Sequence, residues 1–138
     1  EQVIKDCKKT IKLDSSYSEA YILCGLSQLQ LKNYTKAIKE FTKSIELNKN
    51  DSISYYYIGI AKYNLKDYVG AIKEYTKAIE LGYAISLVYY NRANAKYSMY
   101  KDKYGEAVFY NAEACKDWKK AAALGNIDAK KSLAIYCN

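Results

Sequence analysis

The side chains that could carry chemistry in this sequence are four cysteines, 15 carboxylates and 17 tyrosines, and histidine is absent. Histidine is the commonest general base and metal ligand, so its absence excludes most hydrolase triads. No nucleophile has a base near it in the sequence, and carboxylates such as Glu46, Glu80 and Asp117 fall at outward-facing helix positions. We therefore predict that the chain is not an enzyme and has no catalytic residue, no metal ion and no cofactor.

The cysteines form no C-x-x-C pair, which excludes a zinc cage and a thioredoxin-type redox site. We interpret Cys7, Cys24, Cys115 and Cys137 as buried thiols, which favours a reducing compartment such as the cytoplasm. Residues Glu1 to Lys5 do not have the pattern of a signal peptide, and the sequence contains no apolar run near the ~18 residues of a membrane span. We expect no membrane insertion, and the compartment of the intact protein is unknown.

Composition favours one all-α globular domain. The 138 residues are 50% apolar and 27% charged, proline is absent and only six glycines occur. The net charge of +7 raises the possibility of a nucleic-acid or anionic-membrane partner. Only Arg92 among the basic residues is arginine, and the chain is rich in Tyr, Ile and Asn, a mixture that A/T-rich codons also produce. We favour the codon explanation and consider a nucleic-acid partner unlikely.

An internal repeat sets the organisation of the chain. Residues 18–51 align with residues 52–85 without a gap, at a spacing of 34 residues. Apolar residues recur three and four positions apart in each half of the repeat, which predicts two amphipathic helices forming an antiparallel hairpin. The matching pairs are Tyr21 with Tyr55, Gly25 with Gly59, Tyr34 with Tyr68, Ala37-Ile38-Lys39-Glu40 with Ala71-Ile72-Lys73-Glu74, and Ile45-Glu46-Leu47 with Ile79-Glu80-Leu81.

Local features refine these helices. Gly25 and Gly59 lie inside helices, where glycine is unfavourable, so we expect a close approach of backbones there. The small partners opposite them are expected to be Ala37 and Ala71. We expect N-caps for the second helices at residues 33 and 67, an Asn and an Asp.

The same frame extends outward over the rest of the chain. Residues 1–14 match the second helix of a truncated repeat, so we expect a piece of a longer array. Residues 86–126 form a third repeat with an insertion of about nine residues around Tyr100 to Tyr110, which we expect to lengthen one or both helices. Gly125 is expected to stop a helix. Residues 127–138 then form a capping helix, where Tyr136 takes the place of the small residue and ends the stack.

These residues resemble the tetratricopeptide repeat family, whose 34-residue unit has a comparable pattern of aromatic and small residues. The closing proline of the family is replaced by Lys49 and Tyr83. The segment 114–126 resembles the closing repeat of many bacterial members. The matching positions are Tyr21, Cys24-Gly25, Ala37, Phe41 and Ser44, and then Tyr55, Ile58-Gly59, Ala71, Tyr75 and Ala78.

The resemblance implies a right-handed solenoid in which first helices line a concave groove and second helices form the convex back. Tyr56 and Tyr90 are expected to be exposed in this groove, and Asn91 and Asn94 to bond the main chain of a ligand. Tyr63 and Tyr97 could instead pack into the helix layer. The groove is expected to be lined by Ile22, Leu26, Leu29, Tyr56, Ile60, Tyr63, Tyr90, Asn91, Asn94 and Tyr97.

The implied function is a protein–protein interaction scaffold that binds a peptide or a partner helix in this apolar, tyrosine-rich groove. Some members of the family bind a C-terminal carboxylate with lysine, asparagine and arginine side chains. We predict no such clamp here, because only Asn91 is polar among the matching residues. Those residues are Ile22, Leu26, Tyr57, Leu87 and Asn91.

Two alternatives remain open. The first is self-assembly of a homo-oligomer through the terminal repeats, because residues Val3, Ile4, Cys7 and Ile11 would expose a repeat face. The second is a basic nucleic-acid binder that uses a column of lysines on the convex back. We favour a solvated face for that column, since glutamates interleave it. The lysines are Lys39, Lys43, Lys73, Lys77, Lys116, Lys119 and Lys120.

Overall fold

The computed structural model describes residues 2–105 and 111–137, which contain helices and no strand. Short turns connect most of these helices, so that consecutive helices run antiparallel. In chain order the helices are α1 (Gln2–Leu13), α2 (Ser18–Gln30), α3 (Tyr34–Leu47), α4 (Ser52–Asn64), α5 (Tyr68–Glu80), α6 (Ser86–Tyr104), α7 (Ala112–Ala123) and α8 (Ile127–Tyr136).

Four of these helices end in the same way. A residue with positive φ follows each of α2, α4, α5 and α7, and the amide of the next residue donates to the carbonyl five positions earlier. Two of these turns use glycine, which adopts positive φ without strain. Gly125 ends α7 with a φ of 91°, which confirms the expected stop.

Aspartate and asparagine side chains cap four helix N-termini. Asp67 Oδ1 accepts a hydrogen bond from the Gly70 amide at 2.9 Å, which confirms the predicted cap of α5. Asn33 occupies the N-cap position of α3 as predicted, but its side chain makes no capping hydrogen bond. Its Nδ2 instead donates to Gln28 Oε1 at 3.0 Å, which ties the turn back to α2.

The helices form a solenoid of helical repeats, in which each helix packs mainly against its two neighbours in sequence. The first helices α2, α4 and α6 also contact one another in succession. Elements that approach across the repeats lie on the inner side of a curved stack, so these three helices form its inner face. The core runs along the stack between the layers of first and second helices.

The helical glycines allow the closest packing within two hairpins. A Cβ atom at Gly25 would lie 2.6 Å from Cε1 of Phe41, and one at Gly59 would lie 2.6 Å from Cε1 of Tyr75. The nearest atoms at both glycines belong to aromatic side chains. The prediction of a close approach of backbones, with Ala37 and Ala71 as the small partners, is therefore wrong. An aromatic ring from the second helix fills the space that the absent side chain leaves.

The third hairpin has the longest helix. The helix α6 has 19 residues, against 13 in α2 and in α4, and it ends at Gly105 with a φ of 81°. The predicted lengthening of this first helix is therefore present. Residues 106–110 of the expected insertion lie outside the described residues, and the repeat boundaries stay a prediction.

The four cysteines form two disulfides, so the interpretation as buried thiols is wrong. Cys7 of α1 bonds to Cys24 of α2, and Cys115 of α7 bonds to Cys137 beyond α8, with Cα–Cα distances of 5.7 and 5.8 Å. The partners are 17 and 22 residues apart in sequence, and antiparallel packing of successive helices brings them together. The expectation of a reducing compartment rested on free thiols and loses that basis.

The last helix packs on α7 through an aromatic cluster. Tyr136 stacks on Trp118 with ring centroids 5.7 Å apart, and its ring lies 4.5 Å from that of Tyr97. The prediction that Tyr136 takes the place of Gly59 is wrong. Gly59 is the eighth residue of α4, and the eighth residue of α8 is Ala134.

Candidate functional site

The candidate site is the inner face formed by α2, α4 and α6. Its best-defined part is a cleft of about 160 Å³ between α4 and α6. The cleft brings together four of the predicted groove residues, which are Ile60, Tyr63, Asn91 and Asn94, and adds Asn64 and Tyr75. The first helices α4 and α6 therefore lie side by side and form a cleft between them.

Tyr56 does not line this cleft. Its side chain is only 3% exposed and lies in a buried cluster with Tyr75 and Val88, so the expectation that it is exposed is wrong. Its ring contacts the rings of Tyr75 and Tyr83, whose centroids lie 6.0 and 5.4 Å away. Burial, with smaller contributions from Tyr83 and Tyr57, raises the pKa of the Tyr56 hydroxyl to about 12.

Hydrogen bonds orient the two asparagines of α6. Asn91 Nδ2 donates to the Tyr56 hydroxyl at 3.1 Å, and Asn94 Oδ1 accepts from Trp118 Nε1 at 2.9 Å. The Oδ1 of Asn91 and the Nδ2 of Asn94 have no hydrogen bond to any described residue. The side chains of Asn91 and Asn94 are thus oriented by neighbouring residues, and each has one atom that can bond to a ligand at the cleft: an acceptor on Asn91 and a donor on Asn94.

The other predicted groove residues are half-buried and divide between two further clusters. Ile22, Leu26 and Leu29 pack against the buried side chains of α3 and α4 around Phe41. Tyr90 and Tyr97 pack against the cluster around Trp118. Tyr63 lines the cleft, and its hydroxyl lies 3.2 Å from Ser98 Oγ of α6. These side chains pack into the helix layer as well as lying on the inner face. Packing into the helix layer was the alternative expected for Tyr63 and Tyr97.

Three exposed apolar side chains on the inner helices were absent from the predicted groove. Leu23, Ile53 and Leu87 are 50%, 41% and 44% exposed. Ile53 lies two helical turns before Ile60, and Leu87 lies two turns before Asn94, so they extend the face that carries the cleft. The seven-residue spacing is visible in the sequence and could have identified Ile53 and Leu87.

A buried ionic network lies between α5, α6 and α7. Asp117 is buried, so the prediction that its carboxylate faces outward is wrong, while Glu46 and Glu80 are exposed as predicted. Asp117 accepts from Nε and Nη2 of Arg92 at 2.8 and 2.7 Å, and Lys96 Nζ lies 2.8 Å from its Oδ2. This network ties α6 to α7, and it reaches α5 through Arg92 and Thr76.

Residues 2–105 and 111–137 hold no group of three or more Cys, Asp or Glu side chains that could bind a metal ion. None of the eight described helices is both long and apolar enough to cross a membrane.

Comparisons with known proteins agree with this architecture. Residues 18–51 match the family model described as tetratricopeptide repeat, and no curated protein matches the chain. A crystal structure of MamA is similar with a TM-score of 0.83 and 21% identity, over 96% of this chain and 74% of that one. The Arabidopsis OM64 TPR domain gives a TM-score of 0.73 and 25% identity, over 85% and 91% of the two chains.

A third similar structure is the first TPR of Spaghetti (RPAP3), solved with an HSP90 peptide of sequence SRMEEVD. Its TM-score is 0.73 at 21% identity, over 88% of this chain and 90% of that one. The fold defines a helical-repeat protein with a concave inner side. Residues 18–51 are a tetratricopeptide repeat, and the whole solenoid has the fold of these neighbours, a fold that supports a general role as a protein–protein interaction scaffold.

Proposed function

We propose that this chain binds an uncharged, apolar peptide or partner helix on the inner face of α2, α4 and α6. The observation that carries this proposal is the cleft of about 160 Å³, together with the exposed side chains of Ile53 and Leu87 two turns earlier on the same helices. Exposed apolar side chains gathered around a concavity are typical of interaction sites.

The binding mechanism is preorganised contact. The rings and aliphatic side chains of the face are held by the helix layer, so a ligand finds them ordered before it binds. The Oδ1 of Asn91 accepts, and the Nδ2 of Asn94 donates, a hydrogen bond with the ligand main chain. These bonds fix the register of the ligand, while burial of its apolar side chains supplies most of the affinity.

The peptide found on RPAP3 supports a peptide as the ligand class, but its sequence contains three acidic residues. The cleft of this chain has no lysine or arginine in its lining, and Ile53 and Leu87 beside it are apolar. An acidic peptide would lose hydration there without gaining an ionic partner. The proposed ligand is therefore uncharged along the part that enters the cleft, and not a terminal carboxylate.

The test is quantitative affinity capture from the source lysate with three forms of the chain. The test variant is Ile53→Glu/Leu87→Glu on the inner face. The matched control is Val69→Glu/Leu124→Glu, whose original side chains are also exposed and apolar but lie outside α2, α4 and α6. Circular dichroism confirms that all three forms have the same helicity.

A protein retained by the wild type and the control, and lost with the test variant, would support the proposal. Retention of the same proteins by all three forms, or loss with both variants, would contradict it. Purified partner fragments then identify the bound segment by titration against the wild type.

Self-assembly is a second candidate, and one observation favours it. Val3, Tyr17 and Leu23 surround a cleft of about 160 Å³ between α1 and α2, and each is about half exposed. Sedimentation equilibrium from micromolar to millimolar chain concentrations tests this candidate. A mass that rises with concentration and falls back to the monomer value in Val3→Glu/Leu23→Glu would support it, and a constant monomer mass would exclude it over that range.

A further inference from the structure

The outer side of the solenoid carries clefts at equivalent positions in two successive hairpins. One, of about 550 Å³, lies between Tyr55 of α4 and the lysines of α5. The other, of about 460 Å³, lies between Tyr89 of α6 and the lysines of α7. Both tyrosines are the fourth residue of their helix. Since the two clefts occupy the same place in the repeat, their side chains can be compared position by position.

Each of the two earlier hairpins pairs one of its outer lysines with a glutamate of the same helix. Lys77 of α5 forms an ion pair with Glu80 at 3.3 Å, and Lys43 of α3 pairs with Glu46 at the equivalent positions. In α5 the glutamate lies nine residues after the buried Ala71, and in α3 it lies nine residues after the buried Ala37. The cleft between α4 and α5 therefore holds two glutamates, Glu74 and Glu80, beside its two lysines.

The third hairpin departs from this pattern at two positions. Ala114 of α7 is the equivalent of Ala71 in α5. Nine residues later, α7 has Ala123 where α5 has Glu80. Five residues later, α7 has Lys119 where α5 has Thr76. Lys120 consequently lacks the glutamate partner of Lys43 and Lys77, and Lys116, Lys119 and Lys120 form no ion pair with any described residue. These three lysines are exposed and line one cleft.

The remaining charges of this cleft do not offset the lysines. Asp117 is already compensated by Arg92 and Lys96, both within 2.8 Å of its carboxylate oxygens. The guanidinium of Arg92 also lies 5.7 Å from the ring centroid of Tyr89, which places a further cation at the cleft wall. The cleft therefore has an excess of positive charge that the equivalent clefts lack.

We propose that this cleft, lined by Lys116, Lys119, Lys120 and Arg92, binds a phosphate group. Lysine ammonium groups bind phosphate as point charges, and three of them can surround a compact dianion. Like charges three and four residues apart destabilise a helix, and a bound dianion removes that repulsion. The excess charge is confined to one repeat, so the ligand is compact, since a long polyanion requires phosphate contacts along an extended track.

The test is a titration of the labelled chain with sodium phosphate at pH 8, with sodium chloride balancing the ionic strength, followed by amide shifts in NMR spectra. The test variant is Lys119→Thr/Ala123→Glu, which restores the side chains of the earlier repeats. The matched control is Lys39→Thr/Thr42→Glu, which makes the same change in net charge on exposed positions of α3. A parallel titration uses O-phosphoserine, in which the phosphate is an ester.

We expect saturable shifts in α7 and around Tyr89 in the wild type and in the control. We expect the test variant to weaken binding by about tenfold or more, since one hydrogen bond to a charged group contributes about that factor. Tighter binding of O-phosphoserine than of phosphate would identify a phosphate ester as the source, and equal binding would identify free phosphate. Shifts spread evenly over α3, α5 and α7, equal weakening in the control, or no saturation by ~50 mM would overturn the proposal.

Discussion

Gly59 shows how much a single side chain is constrained by the stack. Its helix packs against the ring of Tyr75 so closely that a methyl group would enter the ring, at 2.6 Å from Cε1. Alanine would favour the helix, but the helix gain is smaller than the cost of displacing a fully buried ring.

We expect Gly59→Ala to lower the free energy of unfolding by about 1–2 kcal/mol. Chemical denaturation followed by circular dichroism measures this change. The control is Asn64→Ala, an exposed position near the end of the same helix, which we expect to change stability little. An increase in stability of the Gly59→Ala variant would contradict the packing described here.

Part of this residue-level detail can be read from the sequence. A glycine inside an amphipathic helix signals close approach, and a 34-residue spacing shows that the two glycines are equivalent. The partner ring cannot be read in this way, because periodicity gives the face of a helix and not the direction of each side chain. The same reason explains why Tyr56 was expected in the groove and is buried.

The buried tyrosines make stability dependent on pH in the alkaline range. Burial raises the pKa of Tyr75 above that of Tyr56, which is about 12, while an unfolded tyrosine titrates near pH ~10. Above pH ~10 the unfolded chain releases protons that the folded chain retains, so the free energy of unfolding falls as pH rises.

We expect the denaturation midpoint to drop between pH ~9.5 and ~11.5, and to drop less in Tyr75→Phe. Phenylalanine keeps the ring and removes the ionising hydroxyl. The exposed Tyr17→Phe is the control and should follow the wild type. If Tyr75→Phe and the wild type have the same pH dependence, burial of this hydroxyl does not produce the effect.

At the scale of helices, the joint between α6 and α7 depends on charge as well as on apolar packing. Asp117 is 5% exposed in its side chain, and it meets Arg92 and Lys96 from the neighbouring helix. Arg92 also donates to Thr76 Oγ1 at 3.0 Å, so the network links α5 to the same joint. The polar pattern of α7 alone predicts that the Asp117 carboxylate faces outward. The carboxylate instead faces α6, because its partners Arg92 and Lys96 lie on that helix.

We expect Asp117→Ala to lower the free energy of unfolding by about 3 kcal/mol, because it leaves two partly buried cations without their shared counter-charge. Glu46→Gln removes one partner of an exposed ion pair and should have almost no effect. Denaturation curves of the two variants measure the contrast. Equal, small changes would mean that Asp117 is not needed to hold the joint.

At the scale of the molecule, the disulfides are placed at the two ends of the described stack. One joins α1 to α2 and the other joins the end of α8 to α7, while the joints between α2 and α7 have no covalent bond. Among the described helices, α1 and α8 each pack mainly on one neighbour, and a helix with fewer packing partners opens more easily. The disulfides therefore add a covalent link to each of these two helices.

We expect Cys115→Ser/Cys137→Ser to lose about 2–4 kcal/mol of stability, with faster amide exchange in α8 and little change in α4. Cys7→Ser/Cys24→Ser should have the corresponding effect on α1. Hydrogen exchange with mass spectrometry measures both. Alkylation of the unfolded chain without reductant should label no cysteine, and labelling of all four would refute the pairing.

The repeat period, the all-α class and the order of the helices could be predicted from the sequence, because they follow from periodic apolar residues. The pairing of cysteines could not be, since it depends on distances between helices that a spacing of 17 or 22 residues does not encode. The cleft was predicted in part. Its helices are set by the repeat, but its accessible side chains depend on how each ring packs.

The chain also contains its own optical probe. Trp118 is the only tryptophan, and it lies in the last joint, bonded to Asn94 and stacked on Tyr136. The rings of Tyr97 and Tyr136 lie 5.7 Å from its ring, so light that they absorb can pass to the indole while this joint stays packed. Tryptophan emission excited through tyrosine will therefore report the opening of the joint, without any added label.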